Sequence, residues 1–168
     1  NSSAASDVYK RQQIHSVKRK TFTLLLFGPK GSGKRTIAAQ LRKGIINAAT
    51  PITRQNILRL VLDNLEIVCY NALPTNDFSN IWKQTLAYTS TLVFVFDVSS
   101  KETIQKAHTE LRAVLHEEAT KGIPLAIFAN KVDRCTKLHL KPAELNESLG
   151  LSTIKDRPVS LFFTSGKE

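Results

Sequence analysis

Gly28, Gly33 and Lys34 stand in the spacing Gly-x-x-x-x-Gly-Lys, within Phe22-Thr-Leu-Leu-Leu-Phe-Gly28-Pro-Lys-Gly-Ser-Gly33-Lys34-Arg35-Thr36. An apolar run stops at Gly28, and apolar residues at helical spacing (Ile37, Ala38, Leu41, Ile45) begin after Lys34. Strand, glycine-rich loop and helix in that order form a phosphate-binding loop. The glycines let successive N–H groups turn inward toward phosphate oxygens, and the helix N-terminus adds positive potential. Gly28, Lys30, Gly31, Ser32, Gly33, Lys34, Arg35 and Thr36 are therefore the candidate phosphate-binding residues, with Lys34 reaching the β- and γ-phosphates. The hydroxyl that usually follows the lysine is replaced by Arg35, and Thr36 comes one residue late, as the one candidate metal ligand. The competing reading is a plain glycine-rich turn between a buried strand and a helix.

The elements that must position this loop follow the same alternation. Residues 22–27 read as the first strand, 33–46 as the first helix, and 47–53, with Pro51, as a loop. Residues 56–61 and 65–70 flank Asp63-Asn64 as a hairpin. Phe78, Ile81, Trp82 and Leu86 have helical spacing. Residues 92–97 are a fully buried strand ending in Asp97, and Ser99-Ser100 caps a helix carrying Ile104, Ala107, Leu111, Val114 and Leu115 on one face until Gly122. Residues 123–129 form another buried strand, ending in Asn130-Lys131-Val132-Asp133. A short helix over 142–149 closed by Gly150, and a strand over 159–163, complete the pattern. The expected fold is α/β: a mainly parallel six-stranded sheet covered by helices on both faces in three layers, with ligands at the carboxyl ends of the strands.

Composition narrows the function. The 168 residues carry a formal charge of +10, but the basic residues are scattered without interleaved aromatics, which argues against nucleic acid as partner. No apolar run approaches the roughly 20 residues that span a bilayer. Cys69 and Cys135 make neither a disulfide framework nor a zinc site, so a reducing, cytoplasmic setting is expected. Residues 2–12 look like a translated sequencing-library adapter, so residues 1–12 are expected to be a disordered scar, and 13–20, with Lys18, Arg19 and Lys20, a basic flank. A peripheral membrane contact through that flank is the minority option.

Gly28…Gly33-Lys34, Asp97 and Asn130-Lys131-Val132-Asp133 together resemble the P-loop small GTPases. Trp82, Ala143-Glu144-Leu145, Leu149-Gly150-Leu151 and Thr164-Ser165-Gly166 are most similar to the ADP-ribosylation factor group, over residues 21–168. The resemblance implies GTP or GDP as ligand, with Asp133 accepting from guanine N1 and N2, Asn130 holding the loop and the Lys131 stem over the base. Thr164 and the backbone N–H of Phe163 join them, with the Phe163 ring expected to turn into the core. It also implies effectors or regulators at the switch and interswitch region, residues 47–82, and a final helix beyond Glu168.

Departures from the family pattern cluster around the γ-phosphate and metal. Arg35 replaces the Mg²⁺-binding hydroxyl, Ile52 (with Thr53 beside it) the first-switch threonine, Asn71 the metal-holding aspartate, Pro74 the γ-sensing glycine and Thr75 the water-orienting glutamine. Proline has no N–H to give. These positions point to weak or absent Mg²⁺ dependence and impaired hydrolysis. Three other readings stay open: a conventional GTPase switch, a scaffold that binds no nucleotide, and a nucleoside monophosphate kinase, for which the chain lacks an arginine-rich lid.

Overall fold

A computed structural model of the chain describes residues 19–44, 49–54, 57–62, 64–71, 80–135 and 141–165. Its strands are β1 (Lys20–Phe27), β2 (Ala49–Arg54), β3 (Ile57–Leu62), β4 (Leu65–Asn71), β5 (Thr91–Asp97), β6 (Leu125–Asn130) and β7 (Val159–Phe163). Its helices are α1 (Lys34–Gly44), α2 (Asn80–Leu86), α3 (Lys101–Leu115) and α4 (Pro142–Ser148). The sheet order is β2-β3-β4-β1-β5-β6-β7, parallel from β4 to β7 and antiparallel at β2 and β3.

Strand alternation builds the two cores. On β1 and β5, Leu25, Phe27, Leu92, Phe94 and Phe96 point to one face, where they meet Ile104, Ala107, Leu111 and Val114 of α3 and Leu145 of α4. Leu26, Val93 and Val95 point to the other face and meet Ile37, with Ala38 and Leu41 of α1 packed alongside. Burying each such side chain contributes about 1.5–3 kcal/mol. Phe94 and Phe96 are fully buried, as a parallel strand covered on both faces requires. Helices therefore flank the sheet on both sides, in three layers.

Ser100 caps α3 by accepting from the Thr103 N–H while Thr103 reaches back to the Ser100 N–H, a complete capping box. Leu62 pairs with Leu65, so β3 and β4 form the expected hairpin. Gly150 closes α4 in the left-handed region at φ 62°.

Two expectations need correction. The sheet gains a seventh strand because residues 49–54, which overlap the loop expected over 47–53 with Pro51, pair with β3 as an edge strand. Proline is tolerated there, and the register shifts between Ala49 and Ile52, around it. Helix α3 ends at Leu115 rather than running to Gly122, because the Thr120 hydroxyl donates to the Val114 carbonyl at 3.1 Å and a short 3₁₀ turn over Glu118–Thr120 takes over. Trp82 lies on α2, and Phe78 lies outside the described residues.

Candidate functional site

The glycine-rich loop leaves β1 at Gly28, whose φ of 141° and lack of a side chain are both needed. A Cβ there would run into the Val95 carbonyl oxygen of β5. Gly33, at φ 99°, faces the Asn130 amide just as closely. The Ser32 N–H donates to the Pro29 carbonyl at 3.2 Å and closes the turn. Lys34 opens α1, and its ammonium donates to the carbonyls of Gly28 at 2.6 Å and Pro29 at 2.9 Å. Burial pushes the Lys34 pKa below its ordinary value, opposed by the Glu110 carboxylate and reinforced by Arg35. A lysine in that condition gains from an anion arriving beside it. Lys30, Arg35 and Thr36 are exposed around the loop. The Ser32 hydroxyl is buried with no hydrogen-bond partner among the described residues, a group whose desolvation costs about 1–3 kcal/mol until an acceptor or donor reaches it.

The second loop follows β6. Asn130, 1% exposed, donates from Nδ2 to the Ser32 carbonyl at 2.9 Å and accepts at Oδ1 from the Thr164 hydroxyl at 3.1 Å. Thr164 is held in turn by its N–H on the Ala129 carbonyl and by its own carbonyl, which accepts from the Val132 N–H. Lys131 sits at φ 66°, and its ammonium donates to the Gly31 carbonyl at 2.6 Å and to Asp97 Oδ2 at 2.7 Å. Asp97 Oδ1 accepts from the Ser99 N–H at 2.8 Å. Burial raises the Asp97 pKa, but the bonds from Lys131 and Ser99 outweigh it and hold the carboxyl below the ordinary carboxylate value. Asp133 is exposed, with Oδ1 accepting from the Ser165 hydroxyl at 2.9 Å, while Gln40 of α1 donates to the Ser165 carbonyl at 3.2 Å.

The two candidate groups, residues 28–36 and residues 130–133 with Thr164, are thus adjacent and joined by the protein's own hydrogen bonds. Phe163 departs from expectation: the residue is 42% exposed instead of turning into the core. It is the last residue of β7 at the sheet edge, where no described element covers it; its neighbour Phe162 stacks on Phe128 at 5.3 Å. Ile52 and Thr53 lie on β2 and Asn71 ends β4, whereas Pro74 and Thr75 lie outside the described residues. Sequence reasoning missed Ser165 and Gln40 as supports of Asp133, and missed the Asp97–Lys131 pair.

Two groups can be tested against this surface. A nucleotide polyphosphate fits: Gly28 and Gly33 leave no room for a side chain, the buried Ser32 hydroxyl has no hydrogen-bond partner among the described residues, and Lys34 stands at the helix N-terminus. Mg²⁺ takes an octahedral oxygen shell; on this surface Thr36, exposed two residues after Lys34, offers the one candidate hydroxyl, and the nearby Asp97 carboxylate is paired with Lys131. Among the described residues no group of three or more His, Cys, Asp or Glu side chains could hold a metal.

The sequence model of the ADP-ribosylation factor family matches residues 8–168. The chain is 30% identical over 146 residues to ADP-ribosylation factor-like protein 1 of Saccharomyces cerevisiae, covering 87% of this chain and 79% of that protein. It is 29% identical over 145 residues to ADP-ribosylation factor-like protein 3 of Chlamydomonas reinhardtii, covering 86% and 81%. Against ADP-ribosylation factor K of Dictyostelium discoideum it is 28% identical over 139 residues, covering 83% and 73%. With its parallel sheet, phosphate loop and Asn-Lys-x-Asp loop, the chain belongs to the ADP-ribosylation factor family of small GTPases.

Proposed function

We propose that this domain binds guanine nucleotides with little help from Mg²⁺, hydrolyses GTP very slowly or not at all, and works as a nucleotide-binding interaction module. Membership of the family implies GTP or GDP as ligand and effectors or regulators as partners. The observation that carries the finer reading is the set of residues at the metal and γ-phosphate positions, where Arg35, Ile52, Asn71, Pro74 and Thr75 stand in place of the family's metal-binding, γ-sensing and water-orienting residues.

In this reading the N–H groups of Gly31, Gly33 and Lys34 line the phosphates. The Lys34 ammonium exchanges its carbonyl partners for phosphate oxygens, and the Ser32 hydroxyl gains the partner it lacks. Arg35 and Lys30 add positive charge where a metal would otherwise neutralise the β- and γ-oxygens. Asp133 accepts from the guanine N1–H and N2–H₂ donors, held by Ser165; Thr164 and the Phe163 N–H complete the base side.

Phosphoryl transfer in this class depends on positioning and electrostatics, and intact relatives turn over at only about 10⁻⁴–10⁻² s⁻¹ unaided. Thr75 is too short to orient a water in place of glutamine, and Pro74 offers no N–H to the γ-phosphate. Under single-turnover conditions with saturating Mg²⁺, hydrolysis is expected below about 10⁻⁴ s⁻¹. A rate within the range of intact relatives contradicts impaired hydrolysis.

Among the described residues no helix is long and apolar enough to cross a membrane. The setting proposed is cytoplasmic, with the basic flank of residues 13–20 as a solvated segment, a peripheral membrane contact by it as the minority option, and partners docking on the region of residues 47–82.

A further inference from the structure

Asp97 closes β5 directly opposite Asn130 on β6, yet nothing in the phosphate or base contacts above calls for a carboxylate at that point. Its two oxygens have separate tasks. Oδ1 accepts from the Ser99 N–H at 2.8 Å and shapes the local turn; Oδ2 takes the Lys131 ammonium at 2.7 Å. The same ammonium reaches the Gly31 carbonyl at 2.6 Å, and Lys131 is the one non-glycine among the described residues with positive φ, at 66°. The pair is sheltered, with side chains 18% (Asp97) and 21% (Lys131) exposed, so solvent screens it less than a surface pair.

A lysine stem pinned at both ends makes a wall. Its Cα is fixed in the base loop by the left-handed turn, and its ammonium is fixed over the phosphate loop by one charged and one neutral acceptor. Remove the carboxylate and only the neutral Gly31 carbonyl remains, in competition with water for a strongly hydrated ammonium.

We propose that Asp97 is a positioning residue for nucleotide binding: by holding Lys131 across to the Gly31 carbonyl, it sets the lysine stem as one wall of the base site and ties the phosphate loop to the base loop. The proposal rests on the guanine-nucleotide reading above and adds a residue to it. Asp97 itself touches no ligand atom; it acts through Lys131.

Asp97→Asn isolates the effect. The asparagine Oδ1 still accepts from the Ser99 N–H, while an amide replaces the oxygen that faced the ammonium. Lys131→Met keeps an apolar stem but removes the tether. The measurement is the dissociation rate of preloaded fluorescent GDP from the wild-type chain, each single variant and the double variant. Asp97→Asn is expected to speed release about tenfold in the wild-type background and less than about twofold on top of Lys131→Met, the non-additivity of residues acting as one unit. Equal effects in both backgrounds would make Asp97 a structural residue and overturn the proposal, as would wild-type release rates in Asp97→Asn. If Asp97→Asn does not fold, Lys131→Met decides: about tenfold faster release supports the tether, and wild-type release overturns it. A wild-type chain that cannot be loaded with GDP instead removes the nucleotide reading itself, and the proposal with it.

Discussion

Replacing Gly28 with alanine is expected to lower the unfolding free energy by about 3 kcal/mol, through two separate penalties. The backbone at φ 141° is one that L side chains rarely adopt, and the added Cβ would collide with the Val95 carbonyl oxygen. That oxygen belongs to the backbone of a central strand packed on both faces, so it cannot move aside as the end of a flexible side chain could. Gly31→Ala is the control. Its φ is 80°, but no atom lies within 4 Å of the added Cβ. Strain alone then costs about 1 kcal/mol. Chemical denaturation of the nucleotide-free protein separates the two, and equal losses would mean that the approach of the loop to β5 is not what the glycine serves.

The largest effect on binding is expected from Asp133→Asn. Guanine offers two donors on one edge, N1–H and N2–H₂, and a carboxylate can accept both. The amide keeps one acceptor but turns a donor toward N2–H₂, so one hydrogen bond is lost and two donors face each other. GDP affinity is expected to fall about 100-fold. Xanthosine diphosphate, which carries a carbonyl at that ring position, is expected to overtake it. Ser165 supports the assignment, because its hydroxyl holds Asp133 Oδ1 at 2.9 Å and leaves the group oriented before any base arrives. Competition of GDP and xanthosine diphosphate against a fluorescent nucleotide reads both changes. Unaltered GDP affinity would place the base elsewhere.

Much of the fold is legible in the sequence for identifiable reasons. Residues 92–97 are apolar without alternation, which happens where a strand is covered on both faces, and Phe94 and Phe96 are fully buried there. Ser100 and Thr103 carry a local capping signal, and the hairpin at Leu62 and Leu65 follows from spacing alone. Local signals fail where a distant partner decides the outcome. Residues 49–54 carry a proline and few apolar residues, and become a strand only because β3 offers a free edge. Phe163 reads as buried because it is aromatic, but its place at the end of the edge strand leaves it exposed. In the site, the glycine pattern and Asn130-Lys131-Val132-Asp133 are visible as motifs, whereas the Asp97–Lys131 pair joins residues 34 positions apart and the Gln40–Ser165 contact residues 125 apart. Neither has any periodic trace, since each depends on the sheet order that brings β5, β6 and α1 together.

The most direct test of the central claim, a guanine-nucleotide site held together by protein contacts in place of a metal, is titration of fluorescent GDP and a non-hydrolysable GTP analogue, each with Mg²⁺ and with excess chelator. Tight binding of both nucleotides is expected, changing by less than about threefold when the chelator is added, since Lys34, Arg35 and Lys30 supply the charge and Asn130 and Lys131 the geometry. Binding that collapses in chelator, or that strongly favours one nucleotide over the other, would contradict that claim.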